Sequence, residues 1–492
     1  MVTSDLKLVA RSSAAAFWSK VCAVAFNYLI ALIIARVLGS KLMGSFFLGF
    51  TILSVLAIVC QAGLGRGLIK FLSIGLLEED YRYIKSALLF SVKFILGLSI
   101  GLAVLLFIFR SVLSLRIFND PDLIQVLLFI AATLPFYSLF IFFVEALKSF
   151  KKINILVAVQ NIVFPIINLL LLLVLLWLGL RLSSPLISLL LATIVSLVAF
   201  LLLFKKFLPQ DMNSSSRVLD ARELFSVSIP LYLSSVMMLF MVWTDTIMVG
   251  IFETLQEVGI YTAAAKTATF VSFFLVAVNY ILPPLVAQLY EKKEKKGLES
   301  LARRTARWNL IFSLTVTMVF ALFGEEILSL FGKEFIIAYI PLLFLCVGQV
   351  VNAGAGSVGY ILAMTGFQRV LTYISVFSAL LNVFLNALLI PFFSITGAAL
   401  ATGFTLALWN VLGSYFVSKR IGITPYADNV TKVIVYLLIG GGVSFAVKFF
   451  LGLVGGVVSF LIITAFLIIK ILLDRSDLML IRSMVFKAEE IS

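Results

Sequence analysis

The feature that most constrains this chain is the recurrence of unbroken apolar runs of about twenty residues, each long enough to carry a helix across the hydrocarbon core of a bilayer. They fall at roughly 17–38, 46–72, 86–109, 122–146, 153–178, 185–204, 224–251, 258–289, 308–331, 338–364, 369–393, 396–418, 431–451 and 453–473. In hydrocarbon every backbone polar group must find its partner inside the segment, so runs of this kind fold as helices. The expectation is an all-α polytopic membrane protein with about 14 transmembrane helices. Composition agrees: of 492 residues, 62% are hydrophobic and 13% charged, which leaves no room for a soluble domain. The opening MVTSDLKLVARSS is polar and runs straight into a long apolar segment. No small-residue cleavage site follows a short apolar stretch, so it reads as an uncleaved first helix.

The net charge of +14 would suggest nucleic acid on a soluble chain. Here its distribution points to the membrane instead, and no nucleic-acid partner is expected. With a cytoplasmic N-terminus, KSFKK (148–152), KKFLPQDMNSSSR (205–217), EKKEKKGLESLARRTAR (291–307), KRIGITPYADNVTK (419–432) and the tail share one side. The other side holds GSKLMG (39–44), RSVLSLRIFNDPD (110–122), GLRLSSP (179–185), FETLQEV (252–258) and GEEILSLFGKE (324–334). About 28 basic residues face the first side and about five the second, which places both termini in the cytoplasm of an inner (cytoplasmic) membrane. The three cysteines, Cys22, Cys60 and Cys346, sit inside apolar runs without metal-ligand spacing. The chain has 0 histidines, which removes the commonest proton shuttle and metal ligand.

The polar, Ser-rich stretch after the sixth run divides the chain into an N-terminal bundle (1–208), a cytoplasmic linker (209–223), a second bundle (224–420) and two further helices with a tail (421–492). The openings of the two bundles echo one another. ARVLGSKLMGSFF (35–47) and VGIFETLQEVGIYTAAA (249–265) each pass through a short polar loop to a Gly that opens the next helix. Duplication of this kind is common in secondary transporters.

Four stretches together resemble a known family: ARVLGSKLMGSFFLG (35–49), GLGRGLIK (63–70), TDTIMVGIFETLQEVGIYTAAAK (244–266) and LNVFLNALLIPFFSITGAALATG (381–403). In this order and spacing they are similar to polysaccharide-transport flippases of the multidrug/oligosaccharidyl-lipid/polysaccharide exporter superfamily. The resemblance implies two pseudo-symmetric six-helix bundles around a central cavity, with two extra C-terminal helices. It also implies a substrate, a polyprenyl-diphosphate-linked oligosaccharide that serves as a cell-surface polysaccharide precursor. Such a substrate would move from the inner to the outer leaflet by alternating access, with membrane lipids and polysaccharide polymerase machinery as partners.

Charges inside the spans carry the chemistry. A charge at mid-bilayer costs roughly 2.5–3.5 kcal/mol even on lenient scales, so each needs a partner or a wet cavity. The basic candidates for the substrate are Arg66, Lys266, Lys93, Lys20 and Arg36. Lys20, Lys93 and Arg36 lie within about two turns of a helix end and can snorkel. Arg66 is flanked by glycines in QAGLGRGLIK (61–70), where an arginine can face a cavity and grip a phosphate in bidentate fashion. Glu145 lies one turn before Lys148, as a surface pair would. Lys448 completes the set. A diphosphate carrier needs fixed positive charge, whereas a cation-coupled multidrug antiporter of the same superfamily, the alternative reading, needs carboxylates. A membrane enzyme would need a catalytic carboxylate pair or a large loop. GEEILSLFGKE alone is acidic, and Glu325 and Glu326 read as a solvated helix end, so the chain reads as a transporter rather than an enzyme.

One carboxylate, Asp245 in MVWTDTIMVGIF (241–252), interrupts an apolar run. It lies about six residues from the outer end of its span; Asn386 and Thr402 come out at similar depth, and Asn382 one turn deeper. A carboxylate, two amides and a hydroxyl are hard oxygen donors suited to an alkali cation. In the lipid II flippase branch of the superfamily a sodium site is built from spans seven, eleven and twelve. The resemblance carries it onto Asp245, Asn382, Asn386 and Thr402 with a backbone carbonyl near Ala398. Two readings stay open beside Na+: a structural ion pair of Asp245 with Lys266, and H+ coupling through Asp245.

Overall fold

The computed structural model describes residues 2–78, 80–147, 159–181, 183–207, 221–427 and 430–467. The loop at 148–152, the greater part of the linker (209–220) and the tail from 468 onward lie outside them. Among the described residues the helices run in order as α1 (Val2–Gln61), α2 (Leu64–Leu77), α3 (Tyr81–Val112), α4 (Leu123–Leu147), α5 (Phe164–Trp177), α6 (Ser184–Phe207) and α7 (Ala221–Phe252). They continue as α8 (Leu255–Ala268), α9 (Phe273–Glu291), α10 (Lys295–Ser329), α11 (Tyr339–Ala355), α12 (Val358–Met364), α13 (Gln368–Ile421) and α14 (Val430–Leu467). Ten stretches of the described residues are long and apolar enough to cross a membrane.

The longest helices are bent pairs. α1 turns at Gly39 (φ 82°), α13 at Ser394 (φ 50°) and α14 at Gly452 (φ 76°). These turns are where the sequence separates two apolar runs, at 38–46, 393–396 and 451–453. One expected span is divided instead. The run 46–72 stops as a helix at Gln61, passes through Ala62 (φ 45°) and Gly63 (φ 77°), and starts again at Leu64 as α2. A side chain on Gly63 would meet the Ser228 carbonyl of α7, so glycine is required there both for the left-handed backbone and for the close approach.

The chain packs as two compact units. Unit 1 comprises 1–267, 328–341 and 375–402; unit 2 comprises 268–327, 342–374 and 403–492. Unit 1 has an aromatic core in which Phe140 stacks on Phe164 (centroids 5.0 Å) and meets Phe200 edge-on at 5.6 Å, among buried Phe71, Phe142 and Leu68. Unit 2 is built on aliphatic packing of Val358, Ile361, Leu362 and Ala302 with Ile374 and Val417. Its last helix, α14, is tied to α10 where Lys448 Nζ meets Glu326 Oε1 at 2.6 Å and donates to the Leu322 carbonyl.

Candidate functional site

The polar centre of unit 1 is set by the hairpin of α7 and α8. Thr254 and Glu257 form a reciprocal cap at the start of α8: the Thr254 amide donates to Glu257 Oε2 at 3.1 Å, and the Glu257 amide donates to Thr254 Oγ1 at 3.3 Å. This capping box satisfies two of the orphan donors of the helix end and holds α8 antiparallel to α7. Asp245, seven residues before the end of α7, then faces Tyr261, six residues into α8. The Tyr261 hydroxyl donates to Asp245 Oδ2 at 2.8 Å, with both side chains buried.

α13 closes the centre from the other side. Its turn is tied down where the Ser394 hydroxyl donates to Glu257 Oε1 at 3.2 Å. The turn folds the two arms of α13 together, and Asn382 Nδ2 on the first arm donates to Thr402 Oγ1 on the second at 3.3 Å. One turn along the first arm, Asn386 Nδ2 donates to the Asn382 carbonyl at 2.9 Å and to Asn382 Oδ1 at 3.2 Å. Ala398 is fully buried beside them on the second arm. The side-chain neighbours of the Asp245 carboxylate are Tyr261, Thr402 and Asn386. Two buried oxygens in this group, Asp245 Oδ1 and Asn386 Oδ1, have no hydrogen-bond partner. Oxygens left without donors beside a carboxylate have the chemistry of a hard-cation site, so these residues fit the implied alkali ion.

The structure therefore brings together the four residues read from the sequence as cation ligands, and adds Tyr261. Lys266, considered as the counter-ion, is not among the neighbours of Asp245. It is five residues beyond Tyr261, about 7.5 Å further along α8, and its Nζ lies 4.3 Å from the centroid of the Phe47 ring, a cation–π contact.

The other basic candidates are dispersed. Arg36 is exposed, and its Nε donates to the Leu330 carbonyl at 2.7 Å, so it braces α1 against the segment 328–341. Lys20 is half-buried on α1 and Lys93 exposed on α3. Arg66 is exposed on α2, four residues past the helix break, with no hydrogen bond or ion pair among the described residues. The glycines around it explain that setting. Gly67 is against Ser228 of α7, and Gly65 against Glu145 of α4. α2 thus packs on its glycine faces and presents Arg66 on the face left over.

Known proteins resemble this chain in sequence and in fold. The sequence profile described as "Polysaccharide biosynthesis protein" matches residues 9–290, more than half of the chain, and a MatE profile matches 230–388. The probable low-salt glycan biosynthesis flippase Agl15 of Haloferax volcanii is 26% identical over 452 residues, covering 90% of this chain and 91% of its own. Among solved structures, the lipid II flippase MurJ in an inward closed conformation has a TM-score of 0.74 at 14% identity, covering 94% of this chain and 99% of its own. An inward-facing multidrug resistance MATE family transporter has a TM-score of 0.68 at 14% identity, covering 81% and 94%. These two likenesses concern the fold.

Proposed function

Because this chain belongs to the polysaccharide biosynthesis protein family, a family of membrane transporters rather than enzymes, we propose that it flips a polyprenyl-diphosphate-linked oligosaccharide from the inner to the outer leaflet by alternating access. The observation that carries this reading is Arg66, an exposed guanidinium with no hydrogen bond or ion pair among the described residues, held on a helix beside glycines that pack on its neighbours. A diphosphate leaving water needs fixed positive charge in its place, and a guanidinium supplies it in two parallel hydrogen bonds. A binder of organic cations would hold a carboxylate there, which argues against the multidrug antiporter reading.

Fourteen spans suit this activity and are compatible with the helices: α1, α13 and α14 each supply two on either side of their turns, and α7 supplies the seventh. In this arrangement 1–208 and 224–420 are the two bundles, both termini are cytoplasmic, and the lipid tail stays in the bilayer. A polymerase that consumes the flipped glycan is the natural downstream partner.

Transport is powered, in this reading, by a cation gradient or the membrane potential. Asp245, Asn386, Thr402 and Asn382 would hold a sodium ion, which supplies a dischargeable positive charge; the alternative is a proton on Asp245. Tyr261 orients the carboxylate through its bond to Oδ2, and Oδ1 is left without a hydrogen-bond partner. The test is reconstitution in liposomes with a lipid-linked oligosaccharide, under a sodium gradient, a proton gradient or none. Arg66→Ala is expected to lose flipping while eluting as folded protein. Unchanged flipping by that variant overturns the role of Arg66.

A further inference from the structure

Unit 2 contains a second polar cluster, made of amide and hydroxyl side chains. α11 ends at Ala355, the chain turns through Gly356 (φ 70°), and α12 begins at Val358. Asn279, Asn352 and Asn410, from three helices, are bonded at this interruption, and Asn309 lies on the stretch of α10 that packs against it. Gly356 lies against Ala306 and Gly354 against Leu310. The face of α10 that carries Ala306, Asn309, Leu310 and Ser313, spaced i, i+3, i+4 and i+7, therefore packs on the break. α13 packs on it too, with Gly413 against Val358 and Trp409 against Gly359. Asn410 Nδ2 donates to Asn352 Oδ1 at 3.1 Å, and Asn352 Nδ2 donates to Gln349 Oε1 at 3.1 Å. α9 joins through Asn279, whose side-chain oxygen accepts from the Ser357 hydroxyl.

The hydrogen bonds of this cluster leave oxygens over. Asn410 Nδ2 also donates to the Leu406 carbonyl at 2.9 Å, so both its protons are committed and the amide cannot turn over without losing two bonds. Its Oδ1 has no partner. Ser414, one turn further on the same face and fully buried, has no partner for Oγ. Asn309 is 1% exposed, and neither end of its amide is bonded, so exchanging its N and O changes nothing. Buried polar atoms without partners are rare enough in folded proteins that each needs an account. The break adds a field of the same sign. The last carbonyls of α11 lack helical donors, apart from Ala353, which accepts from the Gly356 amide at 3.0 Å. That end of the helix also carries the negative pole of its dipole.

We propose that this cluster is a second intramembrane site for an alkali cation, with Asn309, Asn410 and Ser414 as side-chain oxygen donors and the C-terminal end of α11 as the source of negative potential. The donors are hard and neutral, which excludes thiophilic metals. They also leave a divalent ion uncompensated, because calcium and magnesium sites draw on carboxylates. No group of three or more His, Cys, Asp or Glu that could hold a metal occurs among the described residues. Interrupted membrane helices whose C-terminal ends and freed carbonyls hold monovalent cations are a general device of transporters. The site does not rest on the cation reading of Asp245, which belongs to unit 1.

The test is equilibrium binding of radioactive Na+ to the purified full-length protein in detergent, with Li+ and K+ as competitors. Asp245→Asn, Asn309→Leu, Ser414→Ala and the Asp245→Asn/Ser414→Ala double variant are compared with the unaltered chain. Saturable binding is expected to survive Asp245→Asn, to weaken at least tenfold at one site in Asn309→Leu and Ser414→Ala, and to leave no component of the original affinity in the double variant. Loss of all saturable binding in Asp245→Asn, or Ser414→Ala binding as the unaltered chain does, overturns the proposal. If binding is lost in Ser414→Ala and unchanged in Asp245→Asn, this site stands and the sodium reading of Asp245 falls. If the unaltered chain binds no Na+, both fall. Ser414→Ala removes a single hydroxyl and carries the test even where Asn309→Leu fails to fold.

Discussion

Gly44 and Gly259 lie where α1 and α8 come closest, and replacing Gly259 by Ala measures how much of the site depends on that contact. A Cβ on Gly259 would fall 2.1 Å from the Ser40 carbonyl oxygen and 3.0 Å from the Gly44 nitrogen. Both are backbone atoms, so no side chain can swing aside. Restoring ordinary contact at 3.4 Å needs the helices to part by about 1.3 Å, the difference between 3.4 and 2.1 Å. A radial gap of about 1 Å already forfeits about half of the dispersion attraction of the facing atoms. The cost therefore belongs at the top of the overpacking range, about 3 kcal/mol. Displacement also reaches the site, because Tyr261 is two residues further along α8 and its hydroxyl is 2.8 Å from Asp245. Gly101→Ala on α3 is the matched control: a Cβ there meets nothing within 4 Å, so the change relieves backbone entropy and gains up to about 1 kcal/mol. Thermal unfolding of the two purified variants, read by loss of the monodisperse peak, should move in opposite directions. Equal midpoints, or a Gly259→Ala midpoint within error of the unaltered chain, would refute the close-packing argument.

Two further outcomes follow from the same residues. Tyr261→Phe removes the hydroxyl that donates to Asp245 Oδ2 at 2.8 Å and should cost about 1–3 kcal/mol. In an Asp245→Asn background the cost should shrink, and equal costs in the two backgrounds would show that the hydroxyl does not act through the carboxylate. Glu253, in the connection between α7 and α8, has its carboxyl raised above the ordinary range by burial, then by the hydrogen bond and charge of Glu257. The folded chain therefore holds that proton at pH values where the unfolded chain has lost it, and stability falls as pH rises through that window. Glu253→Gln should flatten this dependence and unfold at a higher temperature near neutral pH; parallel curves for the two proteins would refute the assignment.

Much of the fold follows from hydropathy alone, because a lipid environment admits only helices for such runs. What hydropathy does not register is backbone conformation within a run. Ala62 and Gly63 are as apolar as their neighbours, and the break between α1 and α2 comes from their left-handed dihedrals and the contact with Ser228. The depth of Asp245, Asn386 and Thr402 was readable from a helical rise of 1.5 Å per residue, because each sits a countable distance from a turn. Tyr261 could have been found the same way, six residues into α8 against seven from the end of α7, but an aromatic beside small residues reads first as packing. The two glycines of the bundle openings, read as an echo of one another, turn out to be partners in one contact. The asparagine cluster of unit 2 was beyond reach from sequence, since its members lie on four helices whose rotations no single periodicity sets.

The intramembrane charges show how function separates from structure in such a chain. An uncompensated charge in hydrocarbon is too costly to be kept without a reason, so each basic residue can be asked what relieves it. Arg36 is relieved by the Leu330 carbonyl, Lys448 by Glu326 and the Leu322 carbonyl, and Lys266 by the face of Phe47. For these three the protein supplies the answer, and no ligand is needed to account for them. Lys20 and Lys93 have long, flexible stems that carry an ammonium to an interface. Arg66 has no hydrogen bond or ion pair among the described residues, and its side chain is exposed beside glycines that pack on α7 and α4. Those glycines bring α2 close to Ser228 of α7 and Glu145 of α4. An exposed arginine without a bonded partner among the described residues can take an anion that accepts two parallel hydrogen bonds, the species its planar guanidinium fits best.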